Sequence, residues 1–218
     1  VTNSKRLAPR LLPLLAVSAA ALTLSGCGVN NIPTKEEYAK TKWADVQAQY
    51  QRRADLIPNL VATVKGYAAQ EKSVLVEVTQ ARAKATSVSV DASTITDPAK
   101  FAQFQQSQNQ LSGALGRLMV TVEKYPELKS NENFLALQHQ LEGTENRITV
   151  ARKDYNEAVR VYNTELHTFP GVLWASTLYK AEKPMQQFTA TEAAQSAPTV
   201  SFDQAPSAAP GSAPPAKK

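Results

Sequence analysis

From Thr34 onward, apolar and aromatic side chains recur at alternating intervals of three and four residues: Trp43, Val46, Tyr50, Ile57, Leu60, Val64, Tyr67, Val74, Val78 and Ala81. That spacing marks one face of a helix packed against others. Two polar residues, Arg53 and Glu71, stand in the same register. Thr34-Lys35-Glu36-Glu37 fits a capping box at the helix start. Pro58 should bend the helix, because it lacks a backbone N–H and its ring crowds the preceding turn. The register nevertheless runs straight through it, and no glycine lies near Pro58 to make a reversal. The pattern therefore predicts one kinked, continuous helix over 34–85.

Residues 86–96 are rich in Ser, Thr and Val and aperiodic, which predicts a loop. Asp97-Pro98 opens the second helix, with aspartate as N-cap and proline at the first helical position. Its stripe runs Phe101, Phe104, Gln108, Leu111, Leu115, Leu118, Val122 and Tyr125, and Pro126 closes it. Gly113 and Gly116 cost helix propensity and suggest the close approach of another backbone. The third helix starts near Asn131 and carries Phe134, Leu137, Leu141, Glu145, Ile148, Arg152, Tyr155, Val159, Tyr162 and Leu166, before Phe169-Pro170-Gly171 ends it. Residues 172–188 hold scattered apolar positions and a candidate short helix. Residues 195–218 contain five prolines among Ala and Ser, the composition of a disordered tail. No segment alternates as a strand would. The expected fold is all-α: an antiparallel up-and-down bundle of three long helices plus a short or folded-back fourth.

Composition alters this picture at the N-terminus. Residues 1–10 carry Lys5, Arg6 and Arg10 and no acid; an apolar run from Leu11 to Leu24 follows, then Ser25-Gly26-Cys27. A basic start, a short apolar stretch and small residues describe a secretory signal peptide. The run is too short for a span of about 20 apolar residues, and Pro13 interrupts it. Leu24-Ser25-Gly26-Cys27 resembles the bacterial lipobox, in which the cysteine is acylated and becomes the mature N-terminus. An uncleaved anchor helix and an ordinary signal with an incidental cysteine are the competing readings. On the lipoprotein reading, 1–26 is signal, 27–33 anchor and linker, 34–188 the helical domain and 189–218 the tail. Cleavage removes three of 24 basic residues and none of 19 acidic ones, so the net charge falls from +5 to +2. Nucleic-acid binding then loses its main support.

Candidate chemistry is sparse. The single cysteine is the lipid site, and there is no Gly-x-Ser-x-Gly, phosphate-binding glycine loop or dinucleotide fingerprint. His139 and Glu142 lie one turn apart but beside the apolar stripe, and the carboxylate-bridged metal bundles use Glu-x-x-His twice. His167 suits a helix C-terminus, Glu36-Glu37 a helix N-terminus, and Arg52-Arg53 with Asp55 ordinary ion pairing. The expectation is a protein without catalysis, metal or cofactor.

The chain also resembles a known family. Gln51-Arg52-Arg53-Ala54-Asp55-Leu56-Ile57-Pro58-Asn59-Leu60-Val61, followed by Val64-Lys65-Gly66-Tyr67-Ala68, is similar to the LemA family. So are Leu111-Ser112-Gly113-Ala114-Leu115-Gly116-Arg117-Leu118, Tyr125-Pro126-Glu127-Leu128-Lys129 and Asn131-Glu132-Asn133-Phe134. Leu141-Glu142-Gly143-Thr144-Glu145-Asn146-Arg147-Ile148 and Ala151-Arg152-Lys153-Asp154-Tyr155-Asn156 continue the match, which covers about 38–202. The resemblance implies long antiparallel helices of the four-helix up-and-down kind, attached to a bacterial membrane, and it supplies no catalytic residues. Members resemble one another in lying near genes for membrane proteins with TPM-type domains and membrane metallopeptidases, which implies envelope partners. Many members look anchored by an N-terminal membrane helix, whereas this chain has a lipobox.

Three expectations follow. The chain is a membrane-anchored lipoprotein of the bacterial envelope that binds an unidentified protein partner; Gly28, in place of Asp after Cys27, favours the outer membrane. A structural tether, with the Lys217-Lys218 tail joined to the cell wall, is the alternative. Because antiparallel packing of a continuous first helix would leave its first third uncovered, Trp43, Val46 and Tyr50 should meet the C-terminal segment or mediate self-association. Finally, at about 1.5 Å per residue the stripe positions Glu71, Gln108, Glu145 and Arg152 fall within about 10 Å of one height. They should form a polar core layer, structural or open to a cation, with Arg152 pairing the carboxylates.

Overall fold

The computed structural model describes residues 28–88, 91 and 93–189. Cys27 and the signal segment, like the Pro-rich tail, lie outside the described residues. Those residues form six helices and no strand: α1 Asn31–Tyr67, α2 Lys72–Ser87, α3 Pro98–Val122, α4 Pro126–Lys129, α5 Glu132–His167 and α6 Gly171–Thr177.

Two helix starts follow the local sequence. The Asp97 carboxylate accepts from the N–H groups of Ala99 and Lys100 at 2.8 and 3.2 Å, with Pro98 in the first turn. The Asn131 side chain accepts from Phe134 N–H at 3.0 Å. The expected capping box at Thr34 does not form. The helix begins three residues earlier, so that Ile32 is buried and Thr34 N–H already donates to the Asn30 carbonyl at 3.1 Å. The glycines of α3 meet no neighbouring backbone either. A Cβ on Gly113 would touch only the Arg117 side chain of its own helix, and one on Gly116 would touch nothing.

The first predicted helix is two. It passes through Pro58 as expected but stops at Tyr67, and residues 68–71 reverse the chain into α2. Gly66, a weak helix former, lies one residue before that stop. Once reversed, α2 packs its Leu75 and Val78 on the same core as Ile57, Leu60 and Val64, burying apolar surface that a straight extension would leave in water. The proline is itself part of the fastening. Residue 58 has no N–H, so the Ala54 carbonyl one turn earlier loses its helical donor. Arg82 of α2 replaces it, its Nε donating to that carbonyl at 2.7 Å.

Pairing directions follow from the contacts. Along α1, Lys35, Arg53 and Tyr67 meet Glu165, Glu145 and Asn131 in turn, so α1 and α5 run antiparallel. Ala85, Glu77 and Glu71 likewise meet Gln108, Arg117 and Tyr125, so the α2 side and the α3 side also run antiparallel. With 37 and 36 residues, α1 and α5 each extend about 55 Å.

The start of α3, α5 and the C-terminal segment together cover the N-terminal half of α1. Trp43 sits among Phe101, Phe104, Tyr155 and Phe188, with ring centroids 5.2–6.0 Å apart, and Tyr50 meets Phe104 edge-on. Trp43, Val46 and Tyr50 are thus buried within this chain, which removes the reason for assigning them to self-association and realises the docking of the C-terminal segment. That segment is extended over residues 183–188 and is held by two asparagines two turns apart on α5. Asn163 donates to the Met185 carbonyl and accepts from its N–H, both at 2.9 Å; Asn156 does the same with Phe188, also at 2.9 Å. Tyr155 adds a bond to the Gln186 carbonyl at 2.8 Å. Contacts divide the chain after Phe188, with Thr189–Lys218 a separate unit.

Candidate functional site

The four long helices are joined at one buried cation. Arg53 of α1 is 1% exposed. Its Nη1 donates to the Ser112 hydroxyl at 2.8 Å and to the Glu145 carboxylate at 2.9 Å, and its Nη2 to the Gln108 side-chain oxygen at 2.7 Å. The Gln108 amide then donates to the Ala85 carbonyl at 3.3 Å, bringing in α2. The guanidinium also lies 5.0 Å from the Tyr50 ring centre. Only Nε of Arg53 lacks a hydrogen-bond partner. Glu145 keeps its side chain 42% exposed, so the ion pair has one dry end and one wet end. Burial pushes the Tyr50 hydroxyl above its ordinary pKa, against the opposing charges of Arg152 and Arg53. A groove of about 330 Å³ opens alongside, lined by Gln47, Tyr50, Gln51, Ala54 and Gln108 among others.

Of the expected polar layer, Gln108 and Glu145 do come together, but through Arg53. Arg152, two turns further along α5, instead places its guanidinium 4.4 Å from the ring centre of Phe188. Glu71 stands at the reversal between α1 and α2, where it accepts from the Tyr125 hydroxyl at 2.8 Å. Its expected height assumed a helix that continued past Tyr67. Arg53 is in the stripe and was visible there, but its neighbours in the motif invited an ion-pairing reading. In fact Asp55 is bonded by Gln51 at 2.7 Å, leaving Arg53 to the core.

His139 and Glu142 are exposed and 3.8 Å apart, and His167 Nδ1 bonds the Asn163 carbonyl at the end of α5 at 2.8 Å, as its place in the sequence suggests. Glu36 and Glu37 do not serve the helix start, which lies earlier at Asn31; both pair with Lys40 instead. Among the described residues no cluster of three or more His, Cys, Asp or Glu is placed to hold a metal. None of their helices is long and apolar enough to cross a membrane.

The end of the molecule next to Cys27 is built with equal care. Glu165, in the last turn of α5, is buried and accepts from Lys35 and, at 3.2 Å, from Asn31, both in the first turns of α1. Burial pushes its carboxyl up, but the bonds from Lys35 and Asn31 with the Lys35 charge outweigh this and hold it below the ordinary glutamate value. Gly28 has φ +99°, a region that favours glycine, and a Cβ there would stand 3.3 Å from the Pro170 ring. Gly171 packs so closely that a Cβ would meet the Glu165 carbonyl oxygen at 2.1 Å. The start of α1, the end of α5 and the start of α6 are therefore one fastened unit.

The chain is similar in sequence to known proteins. The chain is 27% identical over 157 residues to magnetosome protein MamQ 2 of Paramagnetospirillum magneticum, covering 65% of this chain and 58% of that one. It is 24% identical over 157 residues to magnetosome protein MamQ of Magnetospirillum gryphiswaldense, with the same coverage. With protein LemA of Metamycoplasma hominis it shares 26% identity over 124 residues, 57% of this chain and 52% of the relative. It therefore spans little more than half the length of these relatives. The profile of the LemA family matches residues 42–202, which take in α1 from about its fourth turn onward and all the helices after it. The chain belongs to the LemA family.

Proposed function

We propose that the protein is a non-catalytic, lipid-anchored helical module of the bacterial envelope that holds a protein partner near the membrane. The observation that supports this reading is the placement of Gly28. The residue after the lipobox cysteine is packed against Pro170 at one end of the α1–α5 pair, so an acyl group on Cys27 would anchor that end. The two helices would then carry their exposed faces as far as about 55 Å from it. Rigid fastening at Glu165 makes this a fixed arm and not a flexible leash. The buried contacts of Arg53 are structural in this reading, since each of its bonded partners belongs to the chain. Gly28 after the cysteine favours the outer membrane in a two-membrane cell.

Metabolic labelling with a fatty acid tests the anchor: wild-type protein should incorporate label, and Cys27→Ala should accumulate as unlabelled precursor. Label in the Cys27→Ala protein would refute acylation at that residue. Crosslinking in intact cells followed by mass spectrometry tests the partner. Recovery of only lipids and no reproducible protein adduct would count against partner binding.

A further inference from the structure

Exposed apolar side chains are scattered singly over most of the described surface: Tyr38, Val76, Val120, Leu135 and Val150 stand apart along four helices. The segment after α5 is different. Phe169 is 79% exposed, Val172 40%, Leu173 50% and Leu178 64%, all within ten residues. The inner side of α6 explains why the outer side stays bare. Trp174, Ala175 and Tyr179 pack against the core, and Gly171 is pressed on the Glu165 backbone. The short helix is thus seated firmly, with Val172 and Leu173 facing away from the protein. A concentration of exposed apolar groups on an otherwise polar surface marks a surface that meets lipid or protein.

The location decides which. Phe169 and Pro170 adjoin Gly28, whose packing on Pro170 places the chain leading to Cys27 at this same end. A protein anchored through Cys27 therefore carries this tip at the level of its own anchor, within reach of the bilayer surface. The exposed lysines Lys180 and Lys183 follow in the chain, with Glu182 between them, and apolar groups followed by lysines suit the boundary between acyl chains and anionic headgroups. We propose that Phe169, Val172, Leu173 and Leu178 insert into the membrane interface beside the lipid anchor, fixing the tilt of the helical arm. The proposal rests on the lipid-anchored reading above. It adds a second membrane contact beside the anchor, one that restricts how the arm can tilt on the bilayer.

Acylation of Cys27 leaves an introduced cysteine as the only free thiol, because the chain has no other cysteine. The mature lipoprotein would be purified with Leu173→Cys or, as a control, Val120→Cys, which is 69% exposed on α3. Each would be labelled with an environment-sensitive fluorophore and reconstituted into protein-free vesicles of phosphatidylethanolamine and phosphatidylglycerol. Fatty-acid labelling of the same preparations reports the anchor separately. With acylation present, the Leu173 probe should emit to the blue of the Val120 probe and lose most of its intensity to nitroxide-labelled lipid. Equal emission and equal quenching at the two sites would overturn the proposal while leaving the anchor intact. Shielding of the Leu173 probe in cell membranes but not in vesicles would also overturn it, in favour of a protein partner on the tip. Absence of fatty acid on Cys27 would overturn both readings together.

Discussion

The bond between Arg82 and the carbonyl freed by Pro58 can be tested by a double-mutant cycle. In the wild type, Arg82 Nε donates to the Ala54 carbonyl at 2.7 Å, and Ala54 is buried. Arg82→Met keeps most of the apolar stem but removes the donor, stranding a buried acceptor at a cost of about 1–3 kcal/mol. Pro58→Ala restores an N–H that can donate to the same carbonyl along the helix. In that background Arg82→Met strands nothing, and its cost should fall to the roughly 0.5 kcal/mol typical of a surface substitution. The expected coupling is therefore about 1–2 kcal/mol. The proline's own helix penalty and its effect on the unfolded chain cancel in the cycle, since both occur with and without Arg82. Urea unfolding followed by circular dichroism at the helix band would give each stability, with an unchanged slope confirming that the unfolded state is comparable. Additivity of the two substitutions to within about 0.3–0.5 kcal/mol would refute the reasoning.

At the Arg53 crossing, Glu145→Leu should destabilise by about 3 kcal/mol, because it leaves a dry guanidinium without its counter-ion. Arg53→Met should cost only about 1–2 kcal/mol, since Glu145 and the exposed Ser112 can turn to water and only the buried Gln108 is stranded; the opposite order in unfolding midpoints would contradict this asymmetry. Asn156→Ala with Asn163→Ala should free the 183–188 segment, exposing the Trp43 cluster and shifting tryptophan emission to the red; unchanged emission and unchanged protease resistance at this segment would mean that apolar contacts alone hold it. The carboxyl of Glu165 is held below its ordinary value in the folded chain, so it contributes stability that is present above the ordinary glutamate range and is lost as pH falls through that range and below. The stability difference between wild type and Glu165→Gln should accordingly shrink on acidification; a difference independent of pH would show that the Lys35 and Asn31 bonds do not depend on the charge.

How much of this was legible in the sequence depended on whether a feature was local. The stripes could be read because burial imposes the helical period on residue type, and the cap at Asp97 could be read because a short side chain meets a free N–H two or three residues away. The reversal at 68–71 was not local. It is held by burial of Leu75 and Val78 and by Arg82 reaching across to Ala54, and nothing between Ala68 and Glu71 has the composition of a turn. Pro58, the most conspicuous breaker in the run, is the wrong signal because its missing bond is supplied from another helix. That one misplaced boundary propagated into the polar layer. It put Glu71 in mid-bundle and left Arg152 as the natural partner for the carboxylates. The asparagines that clamp the C-terminal segment were also missed, although their seven-residue spacing on α5 puts both on one face. Nothing in a helix pattern says that such a pair will bind an extended strand.

The same contacts bear on where a function should be sought. The run Gln51–Val61 is one of the segments that carry the resemblance to the family, and a motif of Arg, Asp and Asn around a proline invites a ligand-site reading. In the structure several of its members are already engaged within the chain. Arg53 joins α1 to α3 and α5, the Ala54 carbonyl takes Arg82 of α2, Gln51 bonds Asp55, and Ile57 and Leu60 lie in the core. A buried charge bonded on several sides is suited to fixing helix register, because any slip strands it in a medium that solvates it poorly. The groove beside Tyr50 and Gln108 borders this network, and a ligand there would compete with bonds that hold the fold. The tip at Phe169–Leu178 differs on each count: its apolar groups are exposed, it makes no demand on the core beyond Trp174, Ala175 and Tyr179, and it sits beside the residue that follows Cys27. Substitutions in the motif should therefore act through stability, and those at the tip should change membrane contact in a protein whose unfolding midpoint is unaltered. That division gives each kind of variant a measurement in which it ought to be silent.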